Sequence, residues 1–161
     1  MKNKSFLSNV LKPFFCGTVV SCLCLCSTPI SSSAAGSTQG TKKYTTINGV
    51  SFIMQNSLYT GRESSDNHKY GRAYTSVDAS INLQGGFMGT LPVLYYSSGV
   101  VAKWGATTYT SGYSAGISSY ADKTYFTDSP TFYSYGYVEI WDGYDYQEFH
   151  PYKTANLNNY T

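Results

Sequence analysis

The sequence predicts an all-β protein: a single antiparallel β-sandwich of about 7–9 strands, preceded by a cleaved signal peptide. Three observations carry the fold expectation. From Tyr44 onward no long stretch repeats apolar residues at helical spacing. Gly, Asn, Asp, Ser and Pro instead punctuate the chain about every 8–12 residues, the interval of sandwich and barrel strands. The stretch Gly71 to Leu83 alternates strictly: Ala73, Thr75, Val77, Ala79 and Ile81 share one side, and Tyr74, Ser76, Asp78, Ser80 and Asn82 the other. A period of two is that of a half-buried strand.

Residues 1–35 have the parts of a secretory signal peptide. Lys2, Lys4 and Lys12 form a basic start, Phe14 to Cys26 an apolar region, and Ser33-Ala34-Ala35 a small-residue cleavage site. Cleavage is expected after Ala35. The apolar run is shorter than the roughly 20 residues of a membrane-crossing helix, and no later segment is apolar enough, so no membrane span is expected. The stretch Val19-Val20-Ser21-Cys22 also resembles a lipoprotein box, in which Cys22 would be acylated. The simpler reading treats these cysteines as small hydrophobes of the apolar region. Export implies a secreted, extracellular location, with association to the cell wall.

Residues 36–43 have the composition of a flexible linker, and the sandwich domain is expected over 44–161. Asn48-Gly49 predicts a tight turn between a strand over Tyr44 to Ile47 and one over Val50 to Gln55. The alternating strand at 71–83 ends at Gly85-Gly86. Phe87 to Tyr96 reads as the next strand, with Pro92 marking an edge or a bulge. Ser97-Ser98-Gly99 turns the chain into a partner strand over Val100 to Trp104. Residues 106–121 read as two short strands split at Gly112, and Asp128-Ser129-Pro130 as a turn.

Charge and composition bound the function. All four cysteines and three of the lysines fall within residues 1–35, which leaves 8 basic and 9 acidic residues in the remaining 126. Such a near-neutral domain lacks the clustered cations of a nucleic-acid binder. It has no disulfides to rely on. Val, Ile, Leu and Phe number only 21 there, whereas all seventeen tyrosines of the chain lie at or after residue 44. Large aromatic surfaces are therefore expected to supply much of the core.

The C-terminal segment carries the candidate site. Asp142-Gly143 between two β-rich runs is a strong hairpin signal. A two-residue turn would pair Trp141 with Tyr144, Glu139 with Tyr146, Tyr137 with Glu148 and Tyr135 with His150, all on one face. Val138, Ile140, Asp145, Gln147 and Phe149 would occupy the other. One reading makes Tyr135, Tyr137, Glu139, Trp141, Tyr144, Tyr146 and Glu148 a ligand-binding platform. Rings stack on the apolar faces of sugars and carboxylates accept hydroxyl hydrogen bonds, so the partner would be a cell-wall or other polysaccharide. The other reading makes the same face the core of a tyrosine-built sandwich, which would bury two glutamates at high cost.

No catalytic signature appears. As diagonal neighbours, Glu139 and Glu148 would lie at a separation open to glycosidase chemistry. His68, in a polar stretch read as a solvated loop, and His150, before Pro151, do not make a metal-ligand set. There is no nucleophile elbow and no phosphate loop, so no cofactor is expected.

The stretches Gly86-Phe87-Met88-Gly89, Leu94-Tyr95-Tyr96-Ser97-Ser98-Gly99 and Tyr133-Ser134-Tyr135-Gly136 resemble small, signal-bearing, tyrosine-rich secreted proteins of Gram-positive bacteria with no assigned activity. The aromatic strands and C-terminal hairpin are more distantly similar to β-sandwich bacteriocins of the lactococcin 972 type. The expectation is a non-catalytic binding module at the cell envelope. The alternatives are a secreted antimicrobial or toxin-like protein and a small glycan hydrolase.

Overall fold

The computed structural model of the chain describes residues 36–63 and 65–160. The expected signal peptide, its cleavage site and Cys22 lie outside the described residues. Thirteen strands and no helix occur among the described residues, all in antiparallel sheets.

A long hairpin forms the spine. β1 (Gly36–Gln39) and β2 (Lys43–Ile47) precede β3 (Val50–Arg62), which pairs with β4 (Lys69–Leu83) from Phe52↔Ala79 to Arg62↔Lys69. Asn48 and Gly49 have φ of 50° and 78° and join β2 to β3 with Ile47 opposite Val50. This is the two-residue turn that an Asn-Gly pair favours. β9 (Ser114–Tyr120) and β10 (Thr124–Phe126) cover the far edge of β4 and complete a six-stranded sheet.

Of the residues expected to form a flexible linker, Gly36–Gln39 are a strand and Lys43 opens the next. β1 and β2 line the same edge of β3, with Gln39 opposite Ser57 and Lys43 opposite Met54. Three residues thus span two on β3, which is a β-bulge. Gly40 N donates to Asn56 O at 2.9 Å, and a Cβ at Gly40 would stand 2.3 Å from Tyr152 O. Backbone pairing and close approach hold this segment, so its lack of apolar side chains misled the sequence reading.

The second layer consists of two smaller sheets. β5 (Met88–Leu91) joins β8 (Thr108–Tyr109), β12 (Tyr137–Trp141) and β13 (Tyr146–Phe149) in the order β13-β12-β5-β8. β6 (Val93–Tyr96) joins β7 (Val101–Trp104) and β11 (Phe132–Ser134) in the order β11-β6-β7. The strand expected over 87–96 is split at Pro92, which has no N–H to give a ladder. Gly136 sits beside this break, where a Cβ would fall 2.2 Å from both Leu91 O and Thr75 Oγ1. The chain changes sheet at both points, and such interruptions raise the strand number above the expected 7–9.

Two apolar clusters fill the space between the layers. Phe52, Met54, Val77, Met88, Val138 and Ile140 form one; Leu58, Ala73, Leu94, Ala121, Phe132 and Tyr160 form the other. Between them, Asn56 and Thr75 are fully buried, with Thr90 and Ser134 also buried. The expectation of a tyrosine-built core is corrected here. Tyr160 is the one tyrosine among the buried core residues. The others stand half-buried or exposed, because small and aliphatic side chains close the interlayer space.

Candidate functional site

The hairpin at Asp142 has a four-residue loop. Trp141 lies opposite Tyr146 and Glu139 opposite Glu148. Asp142 Oδ1 accepts from the backbone N–H of Tyr144 at 2.8 Å and of Asp145 at 2.9 Å, and Gly143 takes a φ of 104°. Bonds from Asp145 and Tyr144 hold the Asp142 carboxyl below its usual range. The expected pairs Trp141–Tyr144, Glu139–Tyr146 and Tyr137–Glu148 are therefore not formed, and Glu139 and Glu148 are direct rather than diagonal neighbours.

Lengthening the loop by two residues preserves strand parity. Tyr137, Glu139, Trp141, Tyr146 and Glu148 still share one face; Tyr144 leaves it for the loop, where it is 93% exposed, and Tyr135 lies outside the hairpin, between β11 and β12. This face is the outside of the sandwich, since Val138 and Ile140 on the reverse side are fully buried. Glu139 is half-buried and Glu148 exposed.

Neighbouring elements extend the row. Tyr109 on β8 lies across Gly89 on β5, where a Cβ would come within 2.6 Å of its ring. Its hydroxyl donates to the Glu139 carboxylate. That bond, with burial adding to it, pushes the Tyr109 phenol up to about 12. Tyr146 packs 5.3 Å from Tyr109 and 5.2 Å from Trp141, edge to face with the latter. Its hydroxyl donates to Gly86 O at 2.7 Å. Gly85, Gly86, Phe87, Trp141 and Tyr146 line a shallow cavity of about 230 Å³.

Toward the other small sheet, Glu148 contacts His150 Nε2 at 2.8 Å. The His150 ring stacks on Tyr135 at 5.4 Å and meets Tyr137 at 5.9 Å. Tyr95 stacks on Tyr133 at 5.1 Å with an interplanar angle of 5°, and Tyr135 lies 6.4 Å from Tyr95. Lys153 Nζ caps the Tyr133 ring at 5.4 Å.

The outer layer thus presents one row of rings, from Trp141 through Tyr109 and His150 to Tyr133, with two carboxylates in its middle. Sequence reasoning missed Tyr95 and Tyr109 as members. Gly89 was a usable signal, because a glycine inside a strand often marks close approach of another group. Several hydroxyls and carboxylates of the row are fixed by hydrogen bonds, so their positions are set before any ligand arrives.

Elsewhere, residues 65–68 are exposed, and His68 Nδ1 meets Asp66 Oδ2 at 2.8 Å. Among the described residues no three His, Cys, Asp or Glu side chains are grouped to hold a metal ion, and no helix is long and apolar enough to cross a membrane. No family model, curated protein or solved structure matches the chain.

Proposed function

We propose that this chain is a secreted, non-catalytic binding module of the cell envelope, and that its outer aromatic face takes a polysaccharide. The observation that carries this reading is the row itself: half-buried and exposed rings around Glu139 and Glu148, outside the core. Apolar faces of sugar rings are matched by flat aromatic surface. Sugar hydroxyls are matched by carboxylate oxygens held by Tyr109 and His150. Preformed geometry reduces the ordering that binding requires.

The test is retention of the purified 36–161 chain on insoluble peptidoglycan and on other polysaccharides. Trp141→Ala and Tyr137→Ala are each expected to weaken retention about tenfold, or about 1.4 kcal/mol, with an unchanged melting temperature. Wild-type protein that is retained on none of these polymers, or variants retained as well as wild type, would sink the proposal.

A further inference from the structure

The outer face of the six-stranded sheet carries a second aromatic group, on the opposite side of the sandwich. Register places Arg72 opposite Tyr59 and Tyr74 opposite Tyr120. Tyr59 meets Tyr74 edge-on at 4.9 Å, and Tyr74 lies 5.7 Å from Tyr120. The Arg72 guanidinium carbon sits 3.5 Å from the Tyr120 ring centroid and 5.4 Å from that of Tyr74. Its Nε donates to Ala121 O at 3.3 Å.

This cation is fixed but uncompensated. The ion pairs among the described residues join Asp66 to His68, Glu63 to Lys123 and Glu148 to His150; none includes Arg72. An arginine side chain normally keeps much rotamer freedom. Here a ring and a carbonyl hold it, and its two terminal nitrogens have no acceptor among the described residues. A planar guanidinium held in this way is suited to bidentate contact with a carboxylate or a phosphate.

We propose that Arg72, with Tyr59, Tyr74 and Tyr120, forms a second binding site that takes the carboxylate or phosphate group of an anionic glycan. The rings would lie against the sugar that bears the anion. The surrounding face offers the hydroxyl side chains Ser57, Ser76 and Ser118, which are half-buried or exposed. An extended acidic peptide has no strand edge to join here, because β4 is covered by β3 on one side and by β9 and β10 on the other. The nearby cation Lys123 is already engaged by Glu63, so the site reads one anionic group rather than a dense polyanion. With the two aromatic faces back to back, one molecule would bridge two polymer chains, and avidity would follow from their linkage.

The test is calorimetric titration of the 36–161 chain with an oligogalacturonate, an oligomeric glycerol phosphate and an uncharged oligosaccharide of similar length. At least one anionic ligand is expected to bind at least tenfold more tightly than the uncharged one and to weaken with added salt. The stronger of the two identifies the source of the anion. Arg72→Gln and Arg72→Lys should each reduce that affinity at least tenfold, the second while keeping charge and stem packing; Trp141→Ala should leave it unchanged. Folded Arg72→Lys protein that binds as wild type overturns the site, as does equal binding of charged and uncharged ligands. Tighter binding of a polyglutamate peptide overturns the glycan assignment. Loss of anion binding in Trp141→Ala places it on the other face and also overturns the proposal, whereas failed retention on polysaccharide alone bears only on the Trp141 face.

Discussion

Asn56 shows how a single side chain fixes this fold. It is fully buried, and its carboxamide uses both donors and both acceptor positions. Nδ2 donates to Pro151 O at 3.1 Å and Tyr152 O at 3.3 Å; Oδ1 accepts from Thr75 Oγ1 at 2.7 Å and Gly136 N at 3.1 Å. It thereby ties β3 to β4, to the sheet-changing glycine and to the C-terminal segment. Asn56→Ala leaves these groups unpaired in the buried interior and is expected to cost about 3 kcal/mol, read as a lowered denaturation midpoint. A loss well below about 1 kcal/mol would mean that water replaces the amide. Tyr109 provides a residue-scale pH prediction. Its phenol is raised from 10.0 to about 12, chiefly by the bond to Glu139. The folded state therefore holds this proton more tightly than the unfolded state. The resulting stability is complete below about pH 10 and is lost as pH rises toward about 12. Tyrosinate absorbance should show a late-titrating phenol that Tyr109→Phe removes. Superimposable curves for the two proteins above about pH 10 would show that the bond is not made.

Secondary-structure elements were legible where their signals are local. The Asn48-Gly49 turn, the alternating β4 and the return after Gly99 depend on φ preference and period, and the structure shows each. The Asp142 hairpin was legible in parity but not in length, because Asp-Gly also fits a longer loop once the Asp side chain accepts two amides. Tyr137, Glu139, Trp141, Tyr146 and Glu148 still share a face, since a shift of two keeps strand parity, whereas Tyr144 passes into the loop. β1 was not legible, because its strand character comes from the edge of β3. The Asp142 loop carries an element-scale prediction. Its carboxyl is held low by the Asp145 and Tyr144 amides, so its support is present above the ordinary carboxyl value of 3.8 and fades as pH falls through and below it. Asp142→Ala at neutral pH should imitate acid, with faster hydrogen exchange at the Tyr144 and Asp145 amides. Unchanged exchange would show that the turn is set by the backbone alone. Gly89→Ala tests the neighbouring element. A Cβ there displaces the Tyr109 ring, and the Tyr109 titration should move back toward 10.0.

The arrangement of whole sheets was beyond local signals. Alternation tells which residues share a face, not which face meets the other layer. The few aliphatics of the C-terminal hairpin turned out to face inward, with its tyrosines outside. Nothing in Pro92 or Gly136 alone announces that the chain crosses from one small sheet to the other there. The consequence is a sandwich whose second layer is broken while its first is continuous. The two apolar clusters lie under different small sheets, separated by the buried Asn56 and Thr75, yet β3 and β4 run through both. If the spine couples them, the molecule unfolds as one unit. Trp104 lies on β7 of the three-stranded sheet and Trp141 on β12 of the four-stranded sheet, so each indole reports one end. In the single-tryptophan variants Trp104→Phe and Trp141→Phe, the remaining fluorescence should give the same denaturation midpoint as the backbone signal. Ile140→Val in one cluster and Phe132→Leu in the other should each remove about 1 kcal/mol and move both fluorescence transitions together. Their effects should add, since the sites share no partner. If Phe132→Leu moves only the Trp104 transition, the buried polar layer divides the domain into two folding units, and β3–β4 does not transmit stability between them.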